Sequence, residues 1–114
     1  MKSIRGAIAV VENNEESIIS SSKKLINEIL INNAITENDI EFVIFTVTSD
    51  ITETFPAKAF RELGMTSIAA IDTLAPNINN DLSGCIRILI YLNKDLDEIN
   101  HIYLDDAKKL RPDR

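Results

Sequence analysis

The chain has 114 residues, 45% of them hydrophobic and 26% charged, which suits one globular domain with a small core and excludes a disordered chain. Its formal charge of −6 and pI of about 4.7 argue against a nucleic-acid partner, because phosphate binding needs a net basic face. One cysteine, Cys85, and one histidine, His101, exclude an internal disulfide and a cysteine-rich zinc site, and no carboxylate cluster suggests any other metal site.

Residues 3–11 read as a strand rich in β-branched side chains, with Gly6 marking a bulge or a close backbone approach. Arg5 interrupts this run and Glu12 follows it, so it does not read as a signal peptide. No stretch approaches the roughly 20 apolar residues of a membrane span, and a cytoplasmic protein with no membrane partner is expected. Asn13 followed by Glu16 resembles a capping box that opens a helix running to about residue 33. Ile18, Ser22, Leu25 and Ile29, flanked by Ile19, Ile26 and Leu30, form its core-facing stripe.

Residues 36–39 read as a capped helical turn and 41–48 as a buried strand. Pro56 and Gly64 bracket a short helix over 56–63. A third strand is predicted at 67–72, a loop with Pro76 and three asparagines at 73–82, a fourth strand at 84–92 and a fifth at 100–104. A helical turn and a tail ending in Leu110-Arg111-Pro112-Asp113-Arg114 follow. The order β-α-β-α-β-β-β implies one α+β domain over 1–114: a mixed five-stranded sheet covered by a long helix and short helices.

The chain offers little conventional catalytic chemistry. It has three glycines and no phosphate loop. Cys85 lies on an apolar strand and reads as core; His101, before Ile-Tyr-Leu, reads as a structural histidine. What remains is cationic. Arg87 sits within Cys85-Ile86-Arg87-Ile88-Leu89-Ile90-Tyr91-Leu92, the most apolar stretch, with no acidic residue in the seven positions downstream. A guanidinium there needs an anion or a cavity. It either pairs with a carboxylate of another strand, points out from an edge strand, or serves a ligand. Arg5 lies in the first strand. Lys58 and Arg61, spaced i, i+3, share one face of the short helix, either as an ordinary solvated face or as part of an anion site. Arginines embedded in an acidic protein suit a carboxylate ligand, which their planar forks grip in a bidentate way.

Several segments in register resemble a known family. Ile4-Arg5-Gly6-Ala7, Phe-Thr-Val-Thr-Ser-Asp at 45–50, Phe55-Pro56-Ala57-Lys58-Ala59-Phe60-Arg61-Glu62-Leu63, Cys85-Ile86-Arg87, His101-Ile102-Tyr103-Leu104 and Leu110-Arg111-Pro112 occur in this order. Together they are similar to the monofunctional chorismate mutases of the AroH class, over nearly the whole chain. The resemblance implies a homotrimer with a barrel-like core and active sites at subunit interfaces, and the pericyclic rearrangement of chorismate to prephenate in aromatic amino-acid biosynthesis. That reaction needs no nucleophile, proton transfer or cofactor, only a site that selects the reactive conformer and stabilises separating charge. By resemblance, Arg87 binds the ether oxygen and side-chain carboxylate, and Arg5 and Tyr103 hold that carboxylate. Phe55, Ala57, Lys58 and Arg61 come from the neighbouring subunit. Leu110 covers the site, and Arg111 orders the tail or adds positive potential.

The chain departs from this family at one wall of the site. Family members usually carry a glutamate before the fourth strand, where this chain has Ala75. Three positions earlier, where many have a cysteine, it has Asp72. A carboxylate lost at one position and gained at another suggests that Asp72 takes over the work of the glutamate; the alternative is that Asp72 merely caps or turns the loop. The hairpin after Asn93-Lys94-Asp95 is shorter than usual, and no lid is visible beyond Leu-Arg-Pro. The missing glutamate also leaves room for a non-catalytic trimer that binds a carboxylate metabolite. A third reading, a trimeric deaminase of reactive intermediates, is opposed by the Phe-Pro-Ala-Lys and Leu-Arg-Pro motifs.

Overall fold

A computed structural model describes residues 1–110 of the protein. In chain order it comprises β1 (Ser3–Ala9), α1 (Glu15–Asn33), β2 (Ile40–Val47), α2 (Lys58–Glu62), β3 (Ala70–Leu74), β4 (Ile86–Leu92) and β5 (Ile102–Asp105), with short 3-10 turns at Glu37–Asp39 and Asp106–Leu110. The five strands form one sheet in the order β3-β2-β4-β1-β5. β4 is antiparallel to β1 and β2, while β3 and β5 run parallel to β2 and β1. The expected mixed five-stranded α+β sheet is present.

The sheet has one covered face and one open face. Along β4, Ile86, Ile88, Ile90 and Leu92 are buried, whereas Arg87, Leu89 and Tyr91 are half-buried or exposed. Alternation of this kind puts each set on its own face. The buried set joins Ile4, Ile8, Val43 and Phe45 from neighbouring strands and Ile18, Leu25, Ile26 and Ile29 of α1 in one core. Each such aliphatic or aromatic side chain contributes about 1.5–3 kcal/mol on burial. α2 packs on the same face, with the Phe60 ring 5.9 Å from that of Phe45. The open face carries Phe42 stacked on Tyr91 at 5.2 Å, with Leu89 and Ile71 also exposed.

Several element ends differ from expectation for local reasons. β1 stops at Ala9, because Val10 turns into the left-handed region at φ 60° and Val10 and Val11 bond the carbonyls of Ser83 and Gly84. The cap of α1 is Asn14, whose side chain accepts from the Ser17 N–H at 2.7 Å, and not Asn13. α2 is shorter than 56–63 because Pro56 and Ala57 form a preceding turn, with Lys58 N–H donating to Phe55 O. Its far end closes as expected, since Gly64 takes φ 79° and Met65 N–H reaches back to Phe60 O, a Schellman arrangement. β3 begins at Ala70 rather than 67, because the Ser67 N–H and hydroxyl are both engaged by the Glu37 carboxylate. Gly6 marks a close approach and not a bulge. Its register with Ile88 is unbroken, and a Cβ there would stand 2.9 Å from Ile29 Cδ1 and 3.1 Å from the Ile102 carbonyl oxygen.

Candidate active site

Arg87 lies on the central strand of the sheet, not on an edge, and projects from the open face. Its side chain is 41% exposed, so the desolvation implied by its apolar neighbours in sequence is only partial. Nη2 donates to Asp81 Oδ2 at 3.3 Å. The acidic partner therefore comes from the loop before β4, not from another strand. Arg87 registers with Ala7, and Ala7 with Tyr103 of β5, so Arg87 and Tyr103 flank a small buried residue on one face. Arg5 is two residues from Ala7 and shares that face. Its N–H donates to His101 Nδ1 at 2.9 Å, which gives His101 the structural contact expected of it and pins β5 beside β1. Arg5, Arg87, Tyr103, Leu110, Thr46 and Pro76 line a cavity of about 570 Å³.

The other predicted site residues lie elsewhere. Phe55, Ala57, Lys58, Arg61 and Asp72 line a separate cavity of about 450 Å³, floored by Phe60 and Ala70. Asp72 registers with Phe45, whereas Arg87 registers with Thr46. Asp72 thus lies on the covered face and Arg87 on the open face of the same sheet. Asp72 Oδ1 accepts from the Ala57 N–H at 3.1 Å, tying β3 to the turn that starts α2. Burial pushes its carboxyl above the usual 3.8, and the Ala57 N–H pulls it part of the way back. Lys58 Nζ meets Glu15 Oε1 at 2.5 Å, and that hydrogen bond raises the lysine above its ordinary 10.5. Ala75 is buried and bonds Val47 O through its N–H. It lines a smaller cavity with Thr48, Asp50 and Asp81. Cys85 is buried; burial pushes its thiol up, opposed by the nearby Arg87. Arg111 lies outside the described residues.

Three contributors were not visible from the sequence. Asp81 precedes Arg87 in a loop, and nothing in the strand's own sequence marks it as the partner. Glu15 pairs with Lys58 across 43 residues, a separation that no local spacing rule covers. Asn13, read as a helix cap, instead accepts from the Thr52 and Glu53 N–H groups at 2.9 and 3.1 Å and so fixes the segment leading to Phe55.

A mixed α+β sheet with two cation-bearing cavities, each short of a nucleophile–base pair, defines a small protein suited to an anionic molecule that reacts without covalent help. Comparison with known proteins makes this specific. The family model for chorismate mutase type I matches residues 1–114. A chorismate mutase AroH from Thermus thermophilus is 37% identical, over 99% of this chain and 95% of that protein. Another from Bacillus subtilis (strain 168) is 32% identical, over 99% and 91%. The structure of a chorismate mutase from Clostridium thermocellum superposes with a TM-score of 0.91 at 38% identity, covering 96% of this chain and 99% of that one. The chain belongs to the type I chorismate mutase family. Its activity is the isomerisation of chorismate to prephenate, a step of aromatic amino-acid biosynthesis, and nothing in these likenesses supports a non-catalytic binder.

Proposed function

We propose that the reaction takes place between two copies of the chain in a homotrimer with a barrel-like core, the Arg87 cavity of one subunit facing the Asp72 cavity of the next. The observation that supports this most directly is the placement of the two cation sets on opposite faces of one sheet. The two cavities share no lining residue within one chain. A second observation is the exposed apolar surface of Phe42, Leu89, Tyr91 and Ile71 on the open face, of the kind that marks an association surface.

In the rearrangement the ether C–O bond breaks as a C–C bond forms in one cyclic shift of electrons, with no proton or redox partner. Negative charge grows on the ether oxygen and positive charge on the ring. Arg87 donates to that oxygen and to the side-chain carboxylate, and Arg5 and Tyr103 hold the same carboxylate. From the neighbour, Lys58 and Arg61 face the ring carboxylate, while Phe55 and Ala57 wall the ring. Leu110 covers the opening, with Arg111 next to it in sequence. Asp72, in the lysine-bearing cavity, faces the positive ring in place of the glutamate that Ala75 lacks. Preorganised charges of this kind act without reorganising as the barrier is crossed. No cofactor takes part, and residues 1–114 act as a single domain in the cytoplasm. Among the described residues, no helix is long and apolar enough to cross a membrane.

Intersubunit complementation tests this arrangement. R87A and R61A chains, each of low activity, are unfolded, mixed in equal amounts and refolded together. Random assembly of a cyclic trimer leaves about a quarter of the interfaces with both intact half-sites, so chorismate turnover should recover to about that share of wild type. Recovery no greater than the sum of the two separate variants places the site within one chain and rejects the shared-site reading.

A further inference from the structure

Arg87 has few neighbours able to aim it. On either side in the sheet it meets Thr46 and Ala7. Ala7 is too small to pack a guanidinium, and the buried Thr46 hydroxyl has no hydrogen-bond partner among the described residues. Cys85, two residues before Arg87 in the chain, is a weak acceptor. Asp81 differs from all of these. Its Oδ1 accepts from the Leu82 N–H at 2.8 Å, and its own N–H donates to Ile78 O at 3.3 Å. One carboxylate oxygen is thus fixed by the loop, and the other, Oδ2, meets Arg87 Nη2 at 3.3 Å.

We infer that Asp81 is a positioning residue for the rearrangement: its loop-fixed carboxylate takes one N–H of Arg87 and aims the rest of the guanidinium into the cavity. An arginine has five N–H donors, so occupying one leaves a fork for the ether oxygen and carboxylate of the substrate. The side chain also has considerable rotamer freedom, and restricting it before substrate arrives removes that entropy from the barrier. This inference rests on Arg87 acting at the ether oxygen. It adds a residue from the same loop that carries Ala75, in the half of the site where the usual glutamate is absent.

Chorismate kinetics of D81N, D81E and R87A decide the matter. The amide introduced by D81N keeps an oxygen for the Leu82 N–H, so the loop is preserved, but it loses the charge that faces Arg87. In D81N, kcat should fall about tenfold, a fraction of what ångström-scale misplacement costs, with KM changed less than about threefold, the scale of a weak surface pair. D81E, which keeps the charge, should recover most of kcat. If D81N also melts earlier, D81E decides: recovered kcat supports positioning, and kcat still depressed overturns it. A D81N enzyme with wild-type kcat overturns the inference, as does one whose only change is a lower KM, since Asp81 would then merely compete with substrate. Loss of activity in R87A together with wild-type kinetics in D81N removes the role of Asp81 alone. Activity that survives R87A removes the reading of Arg87 and this inference with it.

Discussion

The cavity around Arg87 and the cavity around Asp72 are built on different kinds of backbone. Arg5, Arg87 and Tyr103 stand on three adjacent strands of one sheet, so their spacing is set by the hydrogen-bond ladder. Phe55, Lys58 and Arg61 stand on a turn and a five-residue helix, held by Asn13 at one end and by Asp72 through the Ala57 N–H. The backbone anchors of the strand-borne groups are fixed to within the tolerance of a sheet, whereas those of the α2 groups depend on a few named side chains. In both cavities a cation is paired to a carboxylate of its own chain, Arg87 to Asp81 and Lys58 to Glu15. In a protein of net charge −6, this keeps each cation oriented while its remaining N–H donors stay open to a dicarboxylate substrate.

The sharpest test of this contrast is to remove the strand-borne cation. R87A should lower kcat/KM by about three decades, the upper scale for losing one oxyanion donor, with little change in Tm because the side chain is half-exposed. Steady-state loss of chorismate absorbance measures it; a fall of less than tenfold would show that the rigid half does not carry the developing charge.

On the helical half, Asp72→Ala should cost about two to three decades in turnover, the scale of one preorganised electrostatic group. A change of kcat/KM within about threefold, under 1 kcal/mol, would reduce Asp72 to its link with Ala57. Stability should move the other way in D72N, where the new amide oxygen can still accept from the Ala57 N–H. Because burial raises the folded carboxyl above 3.8, the folded state holds its proton at a pH where the unfolded chain has released it. Stability attributable to this group is therefore greatest at low pH and declines as pH rises through the folded value. D72N should melt above wild type at neutral pH, with the gap closing as pH falls towards 3.8. Equal melting temperatures at neutral pH would mean that the charged carboxylate is not held at a cost there.

The two halves were also unequally legible in the sequence. The strand-borne residues fell within strands expected at 3–11, 84–92 and 100–104, and alternation over Ile86–Leu92 sets Arg87, Leu89 and Tyr91 on one face and Ile86, Ile88 and Ile90 on the other. The long helix followed from its stripe of Ile18, Leu25 and Ile29. What alternation could not give was which face of β3 meets the helices, since that is set by the register of Asp72 with Phe45 of β2. Asp72 consequently lies on the face opposite Arg87, which no reading of one segment could establish. The partners Asp81 and Glu15 were hidden for a related reason: ion pairs between a loop or helix end and a distant element leave no periodic trace.

Gly6 tests the rigid half through packing rather than charge. It lies between Arg5 and Ala7, and an added methyl would meet Ile29 Cδ1, Ile88 Cγ2 and the Ile102 carbonyl oxygen at 2.9–3.1 Å. The two side chains can shift, but the β5 backbone cannot move without disturbing Tyr103. G6A should therefore destabilise the fold by about 1–3 kcal/mol, the usual cost of overpacking, read by denaturant melts, and raise KM through Tyr103. A G6A protein of wild-type stability would show that β1 and β5 are looser than a sheet-built half-site requires.

The smallest effect is expected at Glu15. Its pair with Lys58 joins two side chains 59% and 39% exposed, and solvent and salt screen such pairs strongly. E15Q should leave Lys58 charged at neutral pH, because glutamine removes only the partner that raises it above 10.5. The change should therefore appear as a shift in KM of no more than about threefold, diminishing with added salt, while kcat stays constant. The contrast with Asp81 is the informative part. Asp81 is fixed by its own loop and faces a strand arginine, so its loss should register in kcat; Glu15 is an exposed side chain at a helix N-terminus, paired among the described residues only with Lys58, so its loss should register in KM. An E15Q enzyme with a kcat reduced as far as that of D81N would show that α2, like the sheet, depends on an internal carboxylate to aim its cation, and the distinction between a rigid half and an adjustable half would fall.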